Sequence, residues 1–80
     1  MLQTIYRLPA VLAETGLSRS TTYLHISQGL WPTPVSLGVR AVGWPAGEVA
    51  ALNVARIAGK SDEEIRALVV KLELARKVLA

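Results

Sequence analysis

Ser18-Arg19-Ser20-Thr21 and Tyr23 bring hydroxyls, a guanidinium and a phenol into the opening of a segment that reads as a helix. Ser18 is placed to cap the free backbone N–H groups of the first turn. The four residues near that end, Arg19, Ser20, Thr21 and Tyr23, all reach phosphate oxygens or base edges if the helix end meets a nucleic acid groove. Thr22 and Ile26 are four apart and share another face with Leu17 just ahead of them, which predicts a buried side opposite the polar one. Such chemistry is recognition of a duplex, with no bond made or broken.

The elements that must hold this cluster are legible on either side of it. Val11 to Gln28 reads as two short helices joined by the tight break Thr15-Gly16, the pattern of a helix-turn-helix. The first helix is expected over Pro9 to Glu14, with Leu8, Val11 and Leu12 inward, because proline is well tolerated in a first turn. Gly16 supplies the left-handed residue after the helix end, and Leu17 plugs the gap between the helices. The second helix is expected from Arg19 to Ser27, stopping at Gln28-Gly29. Ahead of both, Thr4 to Leu8 reads as a short strand or extended arm ended by Pro9, and Arg7 stands where it can add a backbone contact to DNA.

Leu30-Trp31-Pro32-Thr33-Pro34 cannot continue a helix and predicts a rigid, extended connector. Val35 to Leu37 and Ala41 to Trp44 are β-prone and flank Gly38-Val39-Arg40, which reads as a hairpin. A small hairpin after a helix-turn-helix is a wing, and Arg40 at its tip is suited to a minor groove or a phosphate. Trp31 and Trp44, beside prolines and β-prone neighbours, read as core rather than as platforms for stacked bases. A third helix is expected from Pro45 to Ala58, with Val49, Leu52, Ala55 or Arg56, and Ile57 on a partly apolar face. Ser61 and Glu64 then form a capping box, Asp62 and Glu63 add to the acidic first turn, and Arg76 and Lys77 complement the other end of a last helix. Its main stripe is Ile65, Leu68, Val69, Leu72, Ala75 or Arg76, and Leu79, while Val70, Leu74 and Val78 add a second apolar side. The reading therefore divides the chain into a DNA-binding unit over 1–60 and a C-terminal helix over 61–80, whose excess of apolar residues is suited either to covering the core or to pairing with a second copy in a homo-oligomer.

The inventory for catalysis is thin. There is a single histidine and no cysteine in 80 residues, so thiolate metal sites and disulfides are excluded. His25 has no second histidine or acid in its neighbourhood of sequence and reads as an exposed or half-buried helix residue. Capping accounts for Glu63 and Glu64, and neither glycine-rich phosphate-binding pattern occurs. We therefore expect no enzyme, no metal site and no cofactor. The formal net charge is +3 with a pI near 9.8. Residues 1–44 carry Arg7, Arg19 and Arg40 against Glu14 alone, an acid-poor half suited to facing phosphate. No apolar run is long enough to span a bilayer and the N-terminus lacks a secretory pattern, so a soluble cytoplasmic protein is expected.

Arg7-Leu8-Pro9, Thr15-Gly16-Leu17-Ser18-Arg19-Ser20-Thr21, Pro34-Val35 and Arg40-Ala41-Val42-Gly43-Trp44 occur in the order and at the distances of a known family. From Arg7 to Gly59 the chain resembles the AlpA family of small prophage regulatory proteins, close to the excisionase and MerR-type winged helices. The resemblance implies a fold that is mainly α with a small β-hairpin wing, and a bacterial DNA-binding regulator of prophage or mobile-element genes. It maps the reading helix onto Ser18 to Tyr23 and the wing onto Gly38 to Trp44. Many relatives carry a basic residue where Leu24 stands and a second glycine where Val39 stands. The implied partners are double-stranded DNA, further copies of the chain, and a recombinase or RNA polymerase. Two other outputs are compatible with the residues: an excisionase-like factor that bends DNA, and a protein-interaction module that works through its last helix.

Overall fold

The computed structural model describes residues 4–79, and the side chains of residues 4–77. Strand β1 is Ile5–Tyr6 and helix α1 is Leu8–Thr15, so the helix starts one residue before the proline expected to open it. Pro9 still lies in the first turn, where its missing N–H leaves no intrahelical bond unmade. At the other end Gly16 has φ 74° and its N–H donates to the Leu12 carbonyl at 2.9 Å, the left-handed cap that glycine adopts without a Cβ penalty. The Thr15 hydroxyl donates to Val11 O at 2.8 Å and accepts from Leu17 N at 3.3 Å, which fixes the turn between the helices.

Helix α2 is Arg19–Ser27, with the bounds expected from its sequence. Strands β2, Val35–Gly38, and β3, Ala41–Pro45, form the hairpin, joined by Val39-Arg40. Gly38 therefore belongs to the strand and the turn has two residues, not three. No residue other than glycine has a positive φ among the described residues, so Val39 and Arg40 turn the chain without entering the left-handed region that a second glycine would open. The ladder carries a register shift between Ser36 and Gly38.

The sheet is larger than a hairpin. Its order is β1-β3-β2, all antiparallel, with Tyr6 opposite Trp44 and Ile5 opposite Pro45. Gly43 permits this arrangement. A Cβ there would lie 2.6 Å from Ile5 Cγ2, 2.9 Å from the Tyr6 carbonyl and 3.1 Å from Leu37 Cδ1, so only a residue without a side chain lets both neighbours close on β3. Pro45 ends β3 in an extended conformation and caps α3, Ala46–Ile57, which begins one residue later than the sequence reading placed it.

Helix α4, Asp62–Leu79, opens on the expected capping box: Ser61 N donates to Glu64 Oε1 at 3.1 Å, and Glu64 N donates to Ser61 Oγ at 3.2 Å. Its inner side joins the core. Ile65 and Val69 are buried with Val11, Leu30, Trp31, Trp44, Val49, Leu52 and Ala55, while Leu68 and Leu72 pack against that cluster. Val70 and Leu74 are exposed, as the second apolar side requires. Val78 and Leu79, assigned to the same two sides, have side chains outside the described residues. Trp44 is fully buried and donates its indole N–H to Pro32 O at 2.8 Å; Trp31 is 4% exposed. Both indoles are core, so neither offers a face for a stacked base.

Candidate nucleic-acid interface

Helix α2 separates its faces cleanly. Thr22 is fully buried and its hydroxyl donates to Ser18 O at 2.9 Å, which lets a polar residue occupy the inner face without an unmet bond. Ile26 packs on the core one turn later. Arg19, Ser20, Tyr23, Leu24 and Ser27 are exposed, and their spacing of one and four residues gathers them on the outer side.

The N-terminal turn is held by hydroxyls. Ser18 Oγ accepts from Thr21 N at 3.2 Å and donates to Thr21 Oγ1 at 2.9 Å, with Ser20 Oγ 3.4 Å away. Ser18 and Thr21 thus build the cap, and Thr21 is half-buried; Ser20 remains on the outside. The Arg19 guanidinium lies over the Tyr23 ring, 5.9 Å from its centroid, a cation–π contact between two exposed side chains one turn apart.

Arg7 and Arg40 stand on other elements. Arg7 is the N-cap residue of α1, exposed and without a side-chain capping bond. Arg40 is exposed in the β2–β3 turn beside Val39, whose side chain is wholly solvent-accessible. Arg7, Arg19 and Arg40 enter no ion pair among the described residues; the three pairs found there all involve residues beyond 47. His25 is half-buried and lines an open depression with Thr15, Leu17, Trp31, Asn53 and Arg56, with no carboxylate beside it. No group of three or more potential metal ligands occurs among the described residues.

One set of side chains escaped the sequence reading. Glu48, 6% exposed on α3, receives both Arg76 Nε at 2.7 Å and Arg76 Nη2 at 2.6 Å from α4, and the same Nη2 donates to Thr33 O at 2.9 Å. Arg76 does more than complement a helix dipole. Its bond to Glu48 raises the guanidinium pKa above the ordinary value against the opposing pull of burial. The available signal was Glu48 itself: it shares a face with Leu52, four residues on, and an acid on a buried face calls for a cation.

Residues 4–51 match the family model described as Prophage CP4-57 regulatory protein (AlpA). The chain belongs to the AlpA family. It is also 48% identical over 54 residues to "Uncharacterized protein ORF88" of Enterobacteria phage P4, an alignment that covers 68% of this chain and 61% of that protein. The chain thus spans less than two thirds of the length of that relative. No solved structure matches it. The AlpA match runs from β1 into α3 and so contains α2 and the whole wing, whereas α4 lies beyond it. The architecture is that of a helix-turn-helix with a wing, as the resemblance implied. Among the described residues, no helix of this AlpA-family chain is long and apolar enough to cross a membrane.

Proposed function

We propose that this AlpA-family chain is a DNA-binding transcriptional regulator of prophage or mobile-element genes, reading a duplex with α2 and its wing. The observation that carries the reading is the outer side of α2, where Arg19, Ser20 and Tyr23 stand exposed at the capped end of a helix whose opposite side is buried. In this role Arg19 and Ser20 address base edges or phosphates in the major groove, and Tyr23 holds Arg19 in place. Ser18 and Thr21 set the helix end through their mutual cap bonds, and the positive end of the helix dipole favours a phosphate there. Arg40 contacts the minor groove or its flanking phosphates, and Arg7 a phosphate near α1. Leu24, 54% exposed among these polar neighbours, suits the methyl group of a thymine.

One module of this size buries only about 600–1,000 Å² on DNA. Its longest dimension is 33 Å, close to one helical turn of duplex, so a single copy serves one half-site. Self-association through the exposed Val70 and Leu74 side of α4 would double that footprint.

The test is selection from random and genomic DNA fragments by the purified chain at two salt concentrations, with Arg19→Ala alongside. Enrichment of a short motif that the variant fails to enrich supports the reading. Absence of binding at both salts refutes it, because a surface that contacts phosphate releases counterions and binds more tightly as salt falls.

A further inference from the structure

The segment from Gln28 to Pro34 joins α2 to β2 and has no ladder of its own, so its backbone groups must find partners elsewhere. Gln28, Gly29 and Leu30 N–H groups bond back to α2 and the Pro32 carbonyl accepts from Trp44, while the Gln28 carbonyl and both backbone groups of Thr33 find their partners on α4. Arg66 Nε donates to Gln28 O at 2.8 Å, and the Arg66 stem lies over Gly29, 3.7 Å from where a Cβ would stand. Glu73 Oε2 accepts from both Thr33 N at 2.8 Å and Thr33 Oγ1 at 2.9 Å, and Arg76 Nη2 donates to Thr33 O. Arg66, Glu73 and Arg76 recur at seven and three residues, so they form one stripe along the helix. From Arg66 to Glu73 that stripe covers about 10 Å of helix.

Two ends of the connector are therefore tied to one rigid rod. Gln28 is where α2 stops; Thr33 sits between Pro32 and Pro34, two residues before β2 begins. The prolines stiffen that stretch, so a displacement of Thr33 passes into the strand rather than being absorbed. Arg76 is itself fixed by Glu48, and Trp44 holds the neighbouring Pro32 carbonyl from inside the core.

We propose that α4 sets the orientation of the wing relative to the recognition helix, with Arg66, Glu73 and Arg76 as positioning residues that govern DNA affinity without touching DNA. This inference rests on the DNA-binding reading above. Glu73 is the residue to test, because it is half-buried and belongs neither to the Glu48–Arg76 ion pair nor to the hydrophobic core. Both Thr33 bonds go to a single oxygen, so Glu73→Gln keeps an acceptor for both, whereas Glu73→Ala removes it.

The experiment uses the full chain and two readouts. Backbone residual dipolar couplings, recorded without DNA, report the orientation of β2–β3 against α2: Glu73→Ala changes or averages it, and Glu73→Gln restores it. Affinity is then measured for the duplex selected from random DNA. Glu73→Ala is expected to weaken binding about fivefold, within the range for residues that act on a site from outside it. In an Arg40→Ala background, where the wing contact is already gone, the same change is expected to cost nothing further. Unchanged couplings in Glu73→Ala, or an affinity loss that persists in full beside Arg40→Ala, overturns the inference. A chain that selects no duplex refutes the functional reading instead, and the couplings then decide whether Glu73 holds the wing.

Discussion

The first half of the chain and the second carry three arginines each and use them in opposite ways. Arg7, Arg19 and Arg40 project from the cap of α1, the first turn of α2 and the wing turn, and none is paired with a carboxylate among the described residues. Arg56, Arg66 and Arg76 are engaged: with Asp62 at 3.8 Å, with the Gln28 carbonyl, and with Glu48. Acid placement makes the difference, since Glu14 is the sole acid among residues 1–44 and five others follow. The same side chain is a structural cross-link where a carboxylate or carbonyl is in reach and a free cation where none is. A count of net charge averages over this division, and the surface that suits a polyanion is the acid-poor half.

Changes that break this division are expected to differ in what they affect. The largest effect is on stability. Glu48→Ala leaves Arg76 mostly buried without its carboxylate, and urea unfolding should show a loss of about 3 kcal/mol, the lower end for a buried pair with one partner removed. Arg76→Ala is expected to fall in the same range. Next, Arg19→Ala and Arg40→Ala should each weaken DNA binding by about 1–3 kcal/mol in a fluorescence titration, while their unfolding midpoints stay with that of the wild type. Arg56→Ala is expected to do little in either assay, less than about 1 kcal/mol in stability, because its contact with Asp62 is long and exposed. A cost as large as that of Glu48→Ala would remove the distinction between an exposed pair and a buried one.

The smallest effect is on pH dependence. Ser61 backbone and side-chain bonds, with Lys60 nearby, hold the Glu64 carboxyl below its ordinary pKa. A folded pKa lower than the unfolded one contributes stability that is present in full above the unfolded value and is lost as pH falls through the folded value. The stability difference between the wild type and Glu64→Gln should therefore be largest at neutral pH and vanish in acid. A difference that grows on acidification would mean that the cap does not favour the charged carboxylate.

Features set by neighbours in sequence were readable; features set by distant ones were not. Ser18 and the Gln28-Gly29 stop defined α2 to the residue, and the Ser61–Glu64 box opened α4, because caps are local hydrogen-bond patterns. The wing hairpin was visible for the same reason, while the pairing of β1 with β3 depends on Gly43 admitting Ile5 from 38 positions away. Pro45 shows the limit of a one-residue rule: proline suits both a first helical turn and the end of a strand, and the Ala46 N–H bond to Thr4 O at 2.7 Å ties the residue after it to the residue that leads into β1. On the outer side of α2 the sequence named Arg19, Ser20 and Tyr23, and Ser18 as the cap, yet the share of Thr21 in that cap emerged only from its bonds to Ser18. The Arg66, Glu73 and Arg76 stripe was hidden because its partners are backbone groups of a connector about 40 residues earlier, and carbonyls leave no trace in residue type.

Whether the unpaired arginines of the first half meet phosphate is decided by the salt dependence of duplex binding for the wild type, Arg40→Ala and Arg56→Ala. Log affinity is expected to fall linearly with log salt, with a slope that becomes shallower by about one in Arg40→Ala and does not move in Arg56→Ala. Affinity independent of salt, or an equal loss of slope in both variants, would contradict phosphate contact by those arginines.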